Sequence, residues 1–149
     1  MLRSPTGCGT PVAMADRTVG ADKFVTEAGA TYAGLHLIAD FWGASALDDV
    51  EAIGTAMRKA AHAAGATILH LYLHPFGDEQ GVSGVAVLAE SHMSVHTWPE
   101  RGYVAFDAFL CGGTNASAAL HELERHFRPT SKQVQVLRRG TYPAAGKSA

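Results

Sequence analysis

The densest group of reactive side chains lies in one stretch of twelve residues, from Ala89 to Glu100. This stretch holds two glutamates, two serines, two histidines, a threonine and a tryptophan. Serine is a candidate nucleophile, histidine exchanges a proton near neutral pH, and glutamate can act as an acid or a base. The composition of this stretch therefore predicts a site of covalent or acid–base chemistry.

The geometry of this stretch depends on a strand that we expect from His92 to Trp98. Because side chains alternate across a strand, four of them would share one face: His92, Ser94, His96 and Trp98. A polar and aromatic face between apolar strands indicates a lined cleft. On the next strand, Asp107 and Cys111 also share a face, and Asp107 has no assigned role beyond support of a site residue.

The first helix is expected among apolar residues that repeat at helical spacing from Leu47 to Ala64. Ser45 offers a side-chain oxygen for the N-cap, and Asp48 three residues later resembles a capping box. Gly65 is well placed to end the helix. The pattern therefore predicts a helix between Ser45 and Gly65.

The strand expected from Thr67 to His74 alternates clearly. Leu69, Leu71 and Leu73 would point to one side, which we interpret as the core face, and the opposite face is half-polar. A loop, Pro75 to Gly84, follows. The other expected elements are the strands Thr31–Ala44, Val85–Glu90, His92–Trp98, Gly102–Cys111 and Gln133–Leu137, and a second helix, Asn115–Phe127.

Short connections between these strands favour antiparallel pairing. We therefore expect a two-layer α+β sandwich, with an antiparallel sheet and two helices on one face. A second subunit would cover the other, half-polar face, so the chain is expected to form a homodimer through the sheet. The single domain would span residues 31–140, between a flexible N-terminal extension, 1–30, and a flexible tail, 141–149.

Composition excludes several classes of function. The chain has 149 residues, 47% of them apolar and 17% charged, and a net charge of −2, which is typical of one globular domain. No basic stripe favours nucleic acid, no apolar run is long enough to span a membrane, and no hydrophobic centre indicates a secretory signal. Cys8 and Cys111 do not form a disulfide framework, so cytoplasm is the default location. The histidines lack zinc-type spacing, so no metal site is expected.

Three segments resemble one known family. The run AESHMSVHTWPERGYVAFDAFLCGG, the preceding QGVSGVAV and the early GLHLIADFWGA are similar to the signature of the small prokaryotic S-adenosylmethionine decarboxylase proenzymes. The resemblance covers about residues 31–140 in the expected order. It is specific because Glu-Ser-His is followed by a histidine five residues after Ser91 and a cysteine twenty residues after it.

This resemblance implies a pyruvoyl-dependent carboxy-lyase that processes itself. The chain would be cut between Glu90 and Ser91, and Ser91 would become the covalent pyruvoyl cofactor, whose ketone captures the substrate amine. The resemblance also implies that Ser83 acts in processing and His96 in processing and catalysis. Cys111 would be the proton donor in catalysis.

The resemblance further implies a substrate and its binding residues. Phe76, Trp98 and Glu100 would bind S-adenosylmethionine, and the decarboxylated product would serve spermidine synthesis. The loop FGDEQGVS is one residue longer than is usual in the family, which affects the match of Phe76, and Leu110 stands where threonine is common. Two alternatives stay open. The first is a pyruvoyl decarboxylase of the same fold acting on arginine or ornithine, with Asp78 and Glu79 as candidates to bind the basic side chain. The second is an unprocessed, non-catalytic binding homologue.

Overall fold

The computed structural model describes residues 17–141. Its strands and helices, numbered in chain order, are β1 (Arg17–Val19), β2 (Val25–Glu27), β3 (Ala30–Tyr32), β4 (Gly34–Trp42), α1 (Val50–Ala64), β5 (Ile68–Pro75), β6 (Val82–Leu88), β7 (Ser91–Trp98), β8 (Tyr103–Cys111), α2 (Ala116–Phe127) and β9 (Ser131–Arg139). A short 3-10 turn, Pro99–Arg101, lies between β7 and β8.

Six strands form one antiparallel sheet in the order β5-β6-β7-β8-β4-β9. The buried sides of α1 and α2 join the buried side chains of the sheet in a single core cluster. The expected α+β sandwich with two helices on one sheet face is therefore confirmed. We call the other sheet face the open face; it carries His36, Ser83, Val85, Val87, His92, Ser94, His96, Trp98, Tyr103, Asp107 and Cys111.

The first helix begins four residues later than the sequence predicts. Its N-cap is Asp49, whose carboxylate accepts a hydrogen bond of 2.9 Å from the backbone N–H of Ala52. Ser45 instead donates its hydroxyl hydrogen to the carbonyl of Phe127 on α2. The prediction of Ser45 as N-cap was wrong because Ser45 lies in a loop that packs against the second helix. The predicted end at Gly65, which has a left-handed φ of +75°, is confirmed.

The prediction that three leucines share the core face of β5 is wrong for Leu69. The register of β5 against β6 shifts between Ile68 and His70, so Leu69 has no partner in the ladder and is 65% exposed. The residues of β5 that pack against the core are Ile68, Leu71 and Leu73. An extra residue in one strand turns the following side chains over, which alternation alone cannot reveal.

The segment expected as one strand, Thr31–Ala44, is two strands in two sheets. β3 pairs with β2, and β4 pairs with β8 and β9. The chain passes from one sheet to the other at Ala33. The first residue of β4, Gly34, has no room for a side chain, because a Cβ there would lie 2.5 Å from the carbonyl oxygen of Leu110.

Part of the segment expected as a flexible extension has regular structure. Strands β1, β2 and β3 form a three-stranded antiparallel sheet over residues 17–32, which we call the N-terminal meander. Val25 and Tyr32 in this meander are fully buried. Residues 1–16 and 142–149 lie outside the described residues, and with them Cys8 and most of the expected tail. The division of the chain into domains stays a prediction.

Candidate active site

The Glu90–Ser91 junction lies in the turn between β6 and β7. Leu88 pairs with Ser91, so Ala89 and Glu90 alone make the turn. Glu90 has a φ of +66°, in the left-handed region that glycine adopts readily and other residues rarely do. The peptide bond that the sequence singled out therefore follows a residue with a strained backbone.

Ser91 and Cys111 lie together at this end of the sheet. The backbone N–H of Cys111, the last residue of β8, donates a hydrogen bond of 3.0 Å to the hydroxyl oxygen of Ser91. This bond fixes the orientation of the Ser91 side chain. A residue twenty positions away in the sequence thus becomes a direct neighbour of the candidate nucleophile.

Ser83 and His96 form a second pair on the open face. They are directly opposite each other on β6 and β7, and the Ser83 hydroxyl is 2.9 Å from Nδ1 of His96. Ser83 was expected in a loop, but β6 begins at Val82 and includes it. The strand position holds the hydroxyl against the imidazole, as a nucleophile–base or donor–acceptor pair requires.

A cavity of about 570 Å³ adjoins the Ser83–His96 pair. Its lining contains five of the predicted site residues: Phe76, Ser83, His96, Trp98 and Glu100. The loop before β6 closes one side, because the N–H of Phe76 donates to the carbonyl of Gly81. Glu79 also lines this cavity, whereas Asp78 faces a neighbouring depression beside Asp48 and Asp49.

Within one chain, the two groups of predicted residues are far apart. Ser91 begins β7 and His96 lies five residues further along the same strand. At the rise of an extended strand, this separation is about 16 Å. One chain therefore brings Ser91 to Cys111, and Ser83 to His96, but it does not bring the first pair to the second.

A polar cluster that sequence reasoning missed lies on the open face between these two groups. Oδ2 of Asp107 is 2.7 Å from Nε2 of His36 and 3.1 Å from Nε2 of His92, and Ser94 donates to Oδ1. Partial burial alone would raise the pKa of Asp107, but the hydrogen bonds from Ser94, His36 and His92 outweigh it and hold that pKa below its ordinary value. The only sequence signal for His36 is a histidine between two leucines of a strand.

The same cluster is where a metal ion could be held. The ligand atoms of His36, His92 and Asp107 lie within 4.8 Å of one another. However, the guanidinium of Arg139, which can only donate, lies 3.1 Å from Nδ1 of His36. Nδ1 must accept this bond, so Nε2 carries the proton and donates it to Asp107. The hydrogen bonds of both ring nitrogens of His36 therefore favour a polar network over a metal centre.

An aromatic stack extends from the cavity across the open face. Tyr103 stacks between Trp98 and Trp42, with ring centroids 5.1 and 4.4 Å away. Its hydroxyl donates to Asp40, and burial together with this bond raises the pKa of Tyr103 to about 12. Tyr103 thus stays a neutral donor at physiological pH and holds Trp98 in position beside the cavity.

Comparisons with known proteins point to one family. Residues 35–140 match the family model described as S-adenosylmethionine decarboxylase. The S-adenosylmethionine decarboxylase proenzyme of Thermomicrobium roseum is 44% identical over 108 residues, covering 72% of this chain and 93% of that protein. The corresponding proenzyme of Methanococcus maripaludis is 43% identical over 110 residues, covering 72% and 89%.

A solved structure is similar over most of the fold. The crystal structure of the adenosylmethionine decarboxylase from Aquifex aeolicus VF5 aligns with a TM-score of 0.69 and 31% sequence identity, covering 78% of this chain and 98% of that one.

Neither α1 nor α2, the helices of the described segment, is long and apolar enough to cross a membrane.

Proposed function

This chain belongs to the S-adenosylmethionine decarboxylase family, and from that membership we propose that it is a proenzyme that cuts itself between Glu90 and Ser91 and then decarboxylates S-adenosylmethionine. Its product would serve spermidine synthesis. The observation that carries the proposal is the junction itself: a left-handed Glu90 precedes a serine whose hydroxyl is held by a backbone N–H.

The strained turn favours cleavage of the Glu90–Ser91 bond. A left-handed backbone at a residue with a side chain costs about 1 kcal/mol, and cleavage releases that cost. The Ser91 hydroxyl reaches the Glu90 carbonyl carbon through a five-membered ring, so the attack is intramolecular and needs no external nucleophile. The bond from Cys111 N–H limits the rotamers of that hydroxyl.

The steps of self-cleavage balance on the chain's own atoms and one water. The hydroxyl oxygen of Ser91 forms an ester with the Glu90 carbonyl as the peptide C–N bond breaks, and the hydroxyl proton passes to the nitrogen. A base then removes the Cα proton of residue 91, and the Glu90 carboxylate leaves as the C–O bond breaks. Water finally replaces the nitrogen, which departs as ammonia and leaves a ketone.

The residues at the junction fit the pyruvoyl group that this sequence of steps would make from Ser91. When formed, that group withdraws electrons from a bound amine and so favours loss of carbon dioxide. Cys111, directly beside residue 91, would return a proton to the substrate carbon. His96, held by Ser83, would supply the base.

The distance between Ser91 and His96 supports a homodimer in which each site takes residues from two chains. The open face exposes several large apolar side chains that a partner would cover: Trp42, Tyr72, Val85, Val87, Trp98 and Leu137. Two chains could pack by this face around a twofold axis. The end of β7 that carries Ser91 in one chain would then lie beside the end that carries His96 in the other.

The cavity near His96 would bind the substrate. Trp98 and Phe76 present aromatic faces, which favour a stacked purine and a sulfonium cation. Glu100 and Glu79 are carboxylates in the same lining, and Glu100 can accept hydrogen bonds from ribose hydroxyls. The lining thus combines aromatic and anionic groups that a cationic nucleoside requires.

The first prediction tests self-cleavage. Purified wild-type protein should resolve by intact mass into fragments 1–90 and 91–149, and the second fragment should carry a terminus that reacts with a carbonyl reagent such as a hydrazine. Ser91→Ala removes the nucleophile and should leave one 15.7 kDa chain. Ser117→Ala, at an exposed serine of α2, should process as the wild type does.

Substrate identity is tested on the processed protein. Carbon dioxide release should be far faster from S-adenosylmethionine than from arginine or ornithine. Preference for a free basic amino acid would overturn the substrate, and a wild-type chain that stays uncut would overturn the proposal itself.

A further inference from the structure

The N-terminal meander contacts the turn that follows Cys111. The guanidinium of Arg17 donates a hydrogen bond of 3.1 Å to the carbonyl of Gly112, and the N–H of Gly112 donates one of 3.1 Å to the carbonyl of Lys23. Both polar groups of Gly112 are therefore held by the meander, which precedes the residues matched to the family.

These contacts complete the hydrogen bonding of the turn. Cys111 donates its N–H to Ser91, and its carbonyl accepts a bond of 2.8 Å from the hydroxyl of Thr114. Gly112 has a φ of +65°, and side-chain atoms of Val19 and Lys23 lie close enough to touch a Cβ there. The meander thus adds two hydrogen bonds to Gly112, next to the two that Cys111 makes with Ser91 and Thr114.

The meander itself is anchored at its other end. The Tyr32 hydroxyl donates to Glu27, and Arg138 of β9 lies 3.7 Å from Glu27 and 5.0 Å from the Tyr32 ring centroid. Because Tyr32 is fully buried, the meander cannot shift without exposing this ring to solvent. The N-terminal meander can therefore act as a rigid positioning element.

We infer that the N-terminal meander is a positioning element for the reactive junction: by holding Gly112 through Arg17, it fixes the Cys111 N–H that orients the Ser91 hydroxyl. Arg17 touches no reacting atom, so it is a positioning residue. The inference rests on the proposed self-cleavage. Without the contact from the N-terminal meander, the Ser91 hydroxyl samples orientations from which it cannot attack the Glu90 carbonyl, and cleavage slows.

The test follows precursor cleavage by intact mass over time, starting from freshly made protein. Arg17→Ala should slow cleavage about three- to tenfold, because misplacement of a reacting group by a fraction of an ångström costs this much or more. Arg17→Lys, which keeps a charged donor on a long side chain, should restore most of the rate. Arg125→Ala, at an exposed arginine on α2, is the matched control and should process at the wild-type rate.

Two further measurements separate positioning from a loss of stability. Hydrogen exchange at the Cys111 and Gly112 amides should accelerate in Arg17→Ala, while exchange in α1 stays at the wild-type rate. Equal cleavage rates in wild type and Arg17→Ala would overturn this inference and leave self-cleavage intact. If Arg17→Lys is as slow as Arg17→Ala, the N-terminal meander does not act through the hydrogen bond from residue 17 to the Gly112 carbonyl. If the wild-type chain never cuts, the proposed function fails.

Discussion

Asp107 is the residue through which three strands of the site are joined. Its carboxylate accepts hydrogen bonds from His36 on β4 and from His92 and Ser94 on β7, while Asp107 itself lies on β8. His92 directly follows Ser91, so this network holds the residue next to the reactive junction. A single ionised carboxylate thus satisfies three donors on a partly buried sheet face, and its loss would leave them unpaired.

Replacement of Asp107 should therefore change the pH dependence of stability. The hydrogen bonds lower its pKa in the folded state, so the carboxylate adds stability above its ordinary pKa, 3.8, and this contribution is lost as the pH falls through the lower folded-state value. Asp107→Asn should lower the free energy of unfolding by about 1–3 kcal/mol at neutral pH. The difference from the parent should shrink below about pH 4.

This comparison is best made by urea titration in the Ser91→Ala background, where the chain stays intact. Protein concentration must be constant, because dimerisation shifts apparent stability. Asp78→Asn, in an exposed loop, is the matched control. A difference between Asp107→Asn and its parent that is the same at pH 3 and pH 7 would contradict this account of the network.

At the scale of elements, local contacts determine where a strand or a helix begins and how far apart its residues lie. β7 carries both Ser91 and His96, and its extended conformation is what separates them. On the other layer, α1 begins directly after Asp49, whose carboxylate accepts a hydrogen bond from the N–H of Ala52 in the first turn. Leu47, in the loop before this cap, packs into the core.

Removal of the observed N-cap should destabilise the helix layer. Asp49→Ala loses the bond to Ala52 and should lower the free energy of unfolding by about 1 kcal/mol. Asp48→Ala, at the neighbouring exposed carboxylate, should change it by less than about 0.5 kcal/mol. Urea titration of both variants in the Ser91→Ala background measures the two values, and the reverse order would contradict the assigned cap.

At the scale of the whole molecule, we propose that the site is shared between two chains. The pairs Ser91–Cys111 and Ser83–His96 lie at opposite ends of β7 on a sheet that exposes apolar side chains between them. A twofold arrangement would make two equivalent sites, each with Ser91 from one subunit and His96 from its partner. In this proposal the dimer interface is part of the active site.

Mixed dimers test this arrangement. His96→Ala alone and Ser91→Ala alone should both stay uncut, because every site in either homodimer lacks one group. When the two variants are co-expressed in equal amounts, about half of the His96→Ala chains should pair with a Ser91→Ala chain, and those should be cut. Intact mass distinguishes the chains. Absence of cleavage in the mixture, with heterodimers present, would contradict a shared site.

Much of the fold and of the site could be predicted from local sequence pattern. Alternation of polar and apolar residues predicted β7 and its open face, helical spacing predicted α2, and a glycine marked the end of α1. The Glu90–Ser91 junction and Cys111 were predicted from the resemblance of three segments to a known family, and in the structure the backbone N–H of Cys111 donates to the Ser91 hydroxyl. These features depend on residues that are close in sequence or on a recognisable pattern.

Only the tertiary structure decided the rest. Several features depend on which distant segments pack together. They are the bulge at Leu69, the N-cap at Asp49, the hydrogen bond between His36 and Asp107, and the hydrogen bond from Arg17 to Gly112. Ser91 and His96 are near neighbours in sequence, yet an extended strand carries them to opposite ends of the sheet. The period of a sequence determines the type of an element and the face of each residue, whereas register and packing, which bring groups together, arise from contacts between elements.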